Sequence, residues 1–246
     1  MFLIPYKSEV RLRGTPIAVP LLIVANVAIF GYQFFLAYIE GNQVAAQFLL
    51  GEMGVIPHDL IRLTSMAHWM PRPLGALATL VTYQFCHGSI FHLVGNMLFL
   101  WVFGKAVEDR MGPIRVLLFY LTCGVAAALV HVVFAFRSTT PMIGASGSIF
   151  GIMAAHMVLF PGAIIRSIFL FFIIPLQVPL PALIVIGFFF VLEVLAAYFQ
   201  LMYPSGGSSA VAVLAHVGGF LAGMYCVQRF RGLFFPRYRG QREPSW

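Results

Sequence analysis

Six long apolar runs restrict the fold of this chain more than any other feature of its sequence. The runs cover residues 17–37, 91–107, 115–136, 146–160, 181–200 and 210–227. A helix needs roughly 20 apolar residues to cross the hydrocarbon core of a bilayer, and these runs approach or reach that length. Only 9% of the 246 residues are charged, against about 25% in ordinary soluble domains. The sequence therefore predicts an all-α integral membrane protein built as a bundle of six transmembrane helices.

The remaining segments divide one predicted membrane domain, residues 1–246, into three parts. Residues 1–16 are predicted to be a cytoplasmic N-terminal segment, residues 17–228 the six-helix core, and residues 229–246 a basic cytoplasmic tail. Residues 38–88 are predicted to form a long, membrane-associated first outer loop, because amphiphilic residues including Trp69 and Arg72 suit the membrane interface.

The apolar stretch at residues 164–174 is not expected to span. It has only 11 residues, carries Arg166, and lies between Pro161 and Pro175. We expect a connector that follows the membrane surface.

The positive charges indicate how the helices are oriented. With both termini on one side, that side holds twelve of the 15 Lys and Arg residues. Cytoplasmic segments carry the excess of basic residues, so both termini are predicted to be cytoplasmic. The charges lie in short segments between apolar runs rather than on one face, which disfavours nucleic acid as a partner. The three cysteines lack metal-ligand or disulfide-framework spacing, and we expect neither a metal nor another cofactor.

Polar clusters around His92, Ser146 and His216 interrupt the three helices that run inward. These residues precede the cytoplasmic ends of their runs by 13, 15 and 13 residues, which corresponds to about 20, 22 and 20 Å at 1.5 Å per residue. All three therefore reach one level, roughly 10 Å below the outer surface of a bilayer about 30 Å thick.

Small residues give the fourth and sixth helices a reason to pack closely. They recur every four residues as Gly147, Gly151 and Ala155 on one helix and as Ala215, Gly219 and Gly223 on the other. Such stripes let membrane helices approach backbone to backbone. This packing would place Ser146 beside His216, and a histidine can take the proton that a serine hydroxyl must lose to become a nucleophile. The pair is a candidate catalytic dyad.

Acyl transfer also requires hydrogen-bond donors for the developing oxyanion. The backbone N–H of Ser146, the ring of His92 and the amide of Asn96 are candidates, and the last two share one helix face. Each residue alone has a simpler interpretation, since a membrane serine often bonds its own backbone and an asparagine often joins helices. Four polar features at one depth favour the functional interpretation.

Glu193 is the only carboxylate within a predicted span. A carboxylate there can orient a histidine or carry protons, but the fifth helix offers no other polar group for a relay. The sequence favours a structural or lipid-interface role.

Taken together, the motifs resemble those of the rhomboid intramembrane proteases over nearly the whole chain. They are Phe85-Cys86-His87-Gly88, His92-Leu93-Val94-Gly95-Asn96-Met97, Val107-Glu108-Asp109 with Gly112, Gly144-Ala145-Ser146-Gly147, and Ala215-His216-Val217-Gly218-Gly219-Phe220-Leu221-Ala222-Gly223. A GxSG motif alone is weak, whereas its combination with HxxxN and AHxxGxxxG is highly specific.

The resemblance implies a serine endopeptidase that cleaves transmembrane protein substrates. It implies Ser146 as nucleophile, His216 as base, and His92, Asn96 and Ser146 N–H around the oxyanion. It further implies that His216 packs on Phe150, one turn after the nucleophile, instead of being held by an acid. The six-helix arrangement resembles the compact bacterial form, which implies the bacterial cytoplasmic membrane.

Three other functions are compatible with parts of the sequence. A metal-dependent intramembrane protease would use histidine ligands, but His92 and His216 belong to no HExxH motif. A small-molecule transporter would use Glu193, but no internal repeat or pair of interrupted helices is visible in the sequence. A catalytically inactive rhomboid-like binding or trafficking factor is disfavoured because both dyad residues are present.

Overall fold

The computed structural model describes residues 2–62, 75–171, 174–202 and 209–229, and these are mostly helical. The helices are α1 (Ala18–Phe34, continued by a π-helical turn Phe35–Ile39), α2 (Gln43–Met53), α3 (Pro57–Ile61), α4 (Thr79–Thr82, continued by a 3₁₀ turn Tyr83–Phe85), α5 (Ile90–Phe99), α6 (Lys105–Met111, joined to α5 by a π-helical segment Leu100–Gly104), α7 (Pro113–Phe134), α8 (Ser146–Leu159), α9 (Ala182–Met202) and α10 (Ser209–Arg229). Trp69, Arg72 and the glycine-rich loop before α10 lie outside the described residues.

Four of the helical segments are long and apolar enough to cross a membrane. They are Ala18–Ile39, Ile90–Met111, Pro113–Phe134 and Ala182–Phe199. A further apolar helix, Ser146–Leu159, is shorter, and α10 has 21 residues. The chain is thus a multi-pass membrane protein with four or more candidate spans.

A three-stranded antiparallel sheet corrects the prediction of an all-α chain. Its strands are β1 (Phe2–Ser8), β2 (Ile164–Phe171) and β3 (Ile174–Pro181), in the order β1-β2-β3. The stretch that was predicted to be a connector is therefore mostly a strand. β2 is rich in β-branched and aromatic residues, which favour strands. Pro175, Pro179 and Pro181 all lie in β3, an edge strand, where a missing N–H is tolerated.

Backbone pairings at the two ends of the bundle show which connections between the helices lie together. At one end β1, which precedes α1, pairs with β2, which follows α8; Leu3 lies opposite Phe169. At the other end Val55, in the first loop, exchanges backbone hydrogen bonds with Met142, between α7 and α8. The N-terminal segment and the α8–α9 connection thus share one end, and the first loop lies at the opposite end.

Glu108, in the middle of α6, caps the start of α1. Its Oε1 accepts from the N–H groups of Ile17 at 2.6 Å and Ala18 at 2.8 Å, and its Oε2 accepts from that of Val19 at 2.8 Å. The first N–H groups of a helix have no partner within the helix, and a carboxylate also suits the positive end of the helix dipole. Glu108 is 3% exposed, so this cap fixes α1 to the bundle from inside.

The predicted glycine stripes lie where α8 and α10 meet. A Cβ placed on Gly223 would come within 2.5 Å of the carbonyl oxygen of Gly151, and one on Gly219 would overlap the carbonyl of Gly147. These contacts are with backbone atoms, which no side-chain rotation can move away. Glycine is therefore required for the two helices to approach this closely.

Candidate active site

The close contact of α8 with α10 brings Ser146 and His216 together. Ser146 is the first residue of α8, and its Oγ lies 2.7 Å from Nε2 of His216 on α10. Both side chains are partly exposed. A hydroxyl and an imidazole nitrogen at this distance are hydrogen-bonded, so the pair has the geometry of a serine and its general base.

Phe150 lies against the imidazole of His216. The two ring centroids are 4.9 Å apart and the ring planes differ by 10°. Phe150 is four residues after Ser146, so the same face of α8 presents both the hydroxyl and the aromatic ring. The stacking restricts how the imidazole can turn.

His92 lies next to Gly144, two residues before the predicted nucleophile Ser146. A Cβ on Gly144 would lie 2.8 Å from Cε1 of His92 and 3.7 Å from Oγ of Ser146. Gly144 also has a φ of 128°, which residues other than glycine rarely adopt. The glycine at this position of the GxSG motif thus leaves room for His92 beside the nucleophile.

The start of α8 supplies backbone donors in front of Ser146. Ala145 is the N-cap and Ser146 begins the helix. The first N–H groups of a helix lack partners within the helix and point out of its end. A carbonyl oxygen near Ser146 Oγ would meet the positive end of α8 and the ring of His92.

Asn96 is engaged differently from the sequence-based expectation of an oxyanion donor. Its amide Nδ2 donates to Nε2 of His87 at 2.9 Å. His87 falls within residues 38–88, the predicted first outer loop. It is only 1% exposed, and its ring meets that of His92 edge-on at 5.0 Å. Burial, and then the neighbouring His92, lower the pKa of His87 to about 4. The neutral ring can therefore accept a hydrogen bond from Asn96. Asn96 thus contacts His87, and His87 in turn contacts His92.

Glu193 is the residue whose placement departs most from the sequence interpretation. Its Oε2 lies 2.9 Å from Nδ1 of His216, on the opposite side of the ring from Ser146. The side chains of His216 and Glu193 are 22% and 24% exposed. The sequence favoured a structural or lipid-interface role, and the structure places the carboxylate against the predicted base.

The sequence contained a signal for Glu193 and a signal for His87. Glu193 lies 11 residues after the start of α9, or about 17 Å along the helix, close to the level calculated for His216. The same depth comparison, extended to the fifth helix, would have included it. His87 stands five residues before His92 in the quoted motif, but its folding back onto Asn96 depends on the loop between them.

Two further buried histidines lie apart from this site. His156 is buried, and its Nε2 lies 3.2 Å from Oγ of Ser8 on β1. His131 is 4% exposed on α7. Among the described residues no group of three or more His, Cys, Asp or Glu is arranged to hold a metal ion.

A serine paired with a histidine among membrane-length helices defines the class: a multi-pass membrane protein with a serine–histidine site. A family model described as the Rhomboid domain matches residues 74–231, more than half of the chain. The chain belongs to the rhomboid family.

Curated relatives include both proteases and rhomboid-like proteins. Rhomboid-like protein 11, chloroplastic, of Arabidopsis thaliana is 43% identical over 74 residues, which are 30% of this chain and 26% of that protein. Rhomboid protease GluP of Bacillus subtilis (strain 168) is 35% identical over 122 residues, which are 50% and 21% of the two chains. RHOMBOID-like protein 12, mitochondrial, of Arabidopsis thaliana is 29% identical over 161 residues, 59% and 44%. The matched part thus spans less than half of each relative.

Proposed function

We propose that this protein is an intramembrane serine endopeptidase that cleaves transmembrane proteins, with Ser146 as nucleophile and His216 as general base. The observation that carries the proposal is the 2.7 Å separation of Ser146 Oγ and His216 Nε2. Membership of a family that contains proteases supports it.

The proposed reaction proceeds through an acyl-enzyme. Ser146 Oγ attacks the scissile carbonyl carbon as its proton passes to Nε2 of His216, and the C=O π electrons move to the oxygen. The oxyanion is stabilised by Ser146 N–H and by His92, while Asn96 and His87 hold His92 in place. The C–N bond then breaks, and His216 returns the proton to the leaving amine. A water attacks the ester in the same way, with His216 as base, and releases Ser146.

In the proposed arrangement the six spans are α1, α5 to α6, α7, α8, α9 and α10. Both termini are proposed to lie in the cytoplasm, on the side that holds most of the basic residues, and the membrane is proposed to be a bacterial cytoplasmic membrane. The site then lies roughly 10 Å below the outer surface. Cleavage is expected near the outer end of the substrate's membrane segment. Because a helix buries its carbonyl groups in hydrogen bonds, substrates should carry Gly or Pro there.

Labelling with a fluorophosphonate tests the nucleophile directly. The purified protein should be labelled, and the label should be lost in Ser146→Ala. A labelled Ser146→Ala protein would refute the assignment, and an unlabelled wild type that still binds membrane proteins would favour the inactive binding factor.

A reconstituted cleavage reaction tests the position of the cut. Mass spectrometry should place it near the outer end of the substrate segment, and replacing the substrate's Gly or Pro residues there with Leu should slow cleavage. A cut at the cytoplasmic end would contradict the proposed depth.

A further inference from the structure

We propose that Glu193 is a positioning residue for His216, so that the site works as a Ser146–His216–Glu193 triad rather than as a dyad. The inference rests on the proposed function and deepens it. The resemblance to the family implies that the base packs on an aromatic ring and is not held by an acid. In this chain His216 contacts both the ring of Phe150 and the carboxylate of Glu193.

The geometry is that of a continuous hydrogen-bonded chain across three helices. Ser146 on α8 and Glu193 on α9 contact the two different nitrogens of His216 on α10, at 2.7 and 2.9 Å. Phe150 covers one face of the same ring. The imidazole is thus held at both nitrogens and on one face, and no freedom remains to turn it without breaking a contact.

The carboxylate decides which nitrogen of His216 carries the proton. An ionised carboxylate only accepts hydrogen bonds, so Nδ1 must be protonated to bond Glu193. In the neutral ring, Nε2 is then the acceptor, which is the state needed to take the proton of Ser146. Without Glu193, the other tautomer becomes accessible, in which Nε2 carries a proton and cannot act as base.

The carboxylate also complements the charge that forms during the reaction. When Nε2 takes the proton of Ser146, His216 becomes an imidazolium cation beside Glu193. An anion already in place stabilises this cation without reorganisation. Among the residues that the structure describes, His92 also faces His216, and it lies on the side of Ser146 rather than of Glu193.

A purely structural role is the competing explanation. Glu193 belongs to α9, whose side chains are mostly exposed, and its hydrogen bond to His216 could serve only to tie α9 to α10. A structural tie would affect the thermal midpoint and substrate binding, whereas a positioning residue affects the chemical step. The test must therefore separate kcat from KM and from stability.

The experiment uses the full-length protein in liposomes with a transmembrane substrate, and the variants Glu193→Leu, Glu193→Gln and Glu193→Asp. Leucine removes the acceptor at similar size and should lower kcat by about 10- to 10³-fold, less than the roughly 10⁴-fold typical of a fully buried triad acid. KM should change little. Aspartate restores the charge and should recover part of the kcat lost in Glu193→Leu. Glutamine, which lacks the charge, should resemble leucine more than wild type.

A matched control is Glu40→Gln, the same change at an exposed carboxylate at the end of α1, which should leave kcat unchanged. ¹⁵N NMR of labelled His216 in Ser146→Ala, with and without Glu193→Leu, reads the tautomer. It should show Nδ1–H with Glu193 present and a mixture of tautomers without it.

Two results would overturn the inference. One is a wild-type kcat in Glu193→Leu; the other is an equal loss of kcat in the Leu and Asp variants that follows a loss of thermal stability, with an unchanged tautomer. The proposed function fails separately: it is refuted if Ser146→Ala still cleaves, whatever Glu193 does. If Ser146→Ala is inactive while Glu193→Leu is fully active, only the triad is lost.

Discussion

Gly223→Ala tests whether the close approach of α8 and α10 creates the active site. The added Cβ would lie 2.5 Å from the Gly151 oxygen and 2.6 Å from its Cα, whereas ordinary contacts begin at 3.4 Å. The shortfall is 3.4 − 2.5 = 0.9 Å. Because the opposing atoms are backbone, the helices must separate by about that distance or accept overpacking that costs about 1–3 kcal/mol.

The displacement would reach the catalytic pair. His216 lies seven residues, about two turns, before Gly223, on the same face of α10. A shift of about 0.9 Å would stretch the 2.7 Å contact between His216 Nε2 and Ser146 Oγ to roughly 3.6 Å, beyond a hydrogen bond. A misplacement of about 1 Å can cost about 10²-fold in rate, and we expect a loss of kcat of that order.

Gly187→Ala on α9 is the matched control. A Cβ there meets nothing within 4 Å, and both substitutions gain the same helix propensity, about 1 kcal/mol. Cleavage of a reconstituted substrate, fluorophosphonate labelling and the thermal midpoint should be measured for both. The reasoning is refuted if Gly223→Ala matches Gly187→Ala in all three.

Three further predictions test separate parts of the structure. Ser146→Ala and His216→Ala should each abolish cleavage while the protein stays folded, and the double variant should be no worse than either because the two residues act as a unit; additive losses in single-turnover assays would contradict this. His92→Ala should lower kcat by about 10²–10³-fold and leave residual activity, since the backbone donor at Ser146 remains; a raised KM with unchanged kcat would exclude the oxyanion role. Glu108→Gln should lower the unfolding free energy by about 1–3 kcal/mol, because the amide loses the charge and one acceptor that serve three N–H groups; Glu40→Gln is its control, and equal thermal midpoints would refute the cap.

The sequence predicted the core of the candidate site for reasons of helix geometry. A fixed rise per residue placed Ser146 and His216 at one depth, and small-residue stripes indicated which helices meet. The structure brings the two side chains to hydrogen-bonding distance. Their catalytic roles remain predictions.

The partners of those residues depended on contacts that no local pattern encodes. Asn96 meets His87 because the loop before α5 folds back, and Glu193 meets His216 because of how α9 is rotated against α10. The depth of a residue follows from counting along one helix. The direction in which its side chain points relative to another helix does not.

What the sequence determined by itself was the membrane class, the main helices, the motifs and their common depth, since these follow from hydrophobicity, length and helical rise within single segments. What only the tertiary structure decided was the pairing of the strands and the contact between Glu193 and His216. β1 and β2 pair across more than 150 residues, and a strand in a chain rich in apolar residues has no distinct signal until its partner is known. The role proposed for Glu193 likewise depends on its contact with His216, because the chemistry of a carboxylate depends on which group it faces.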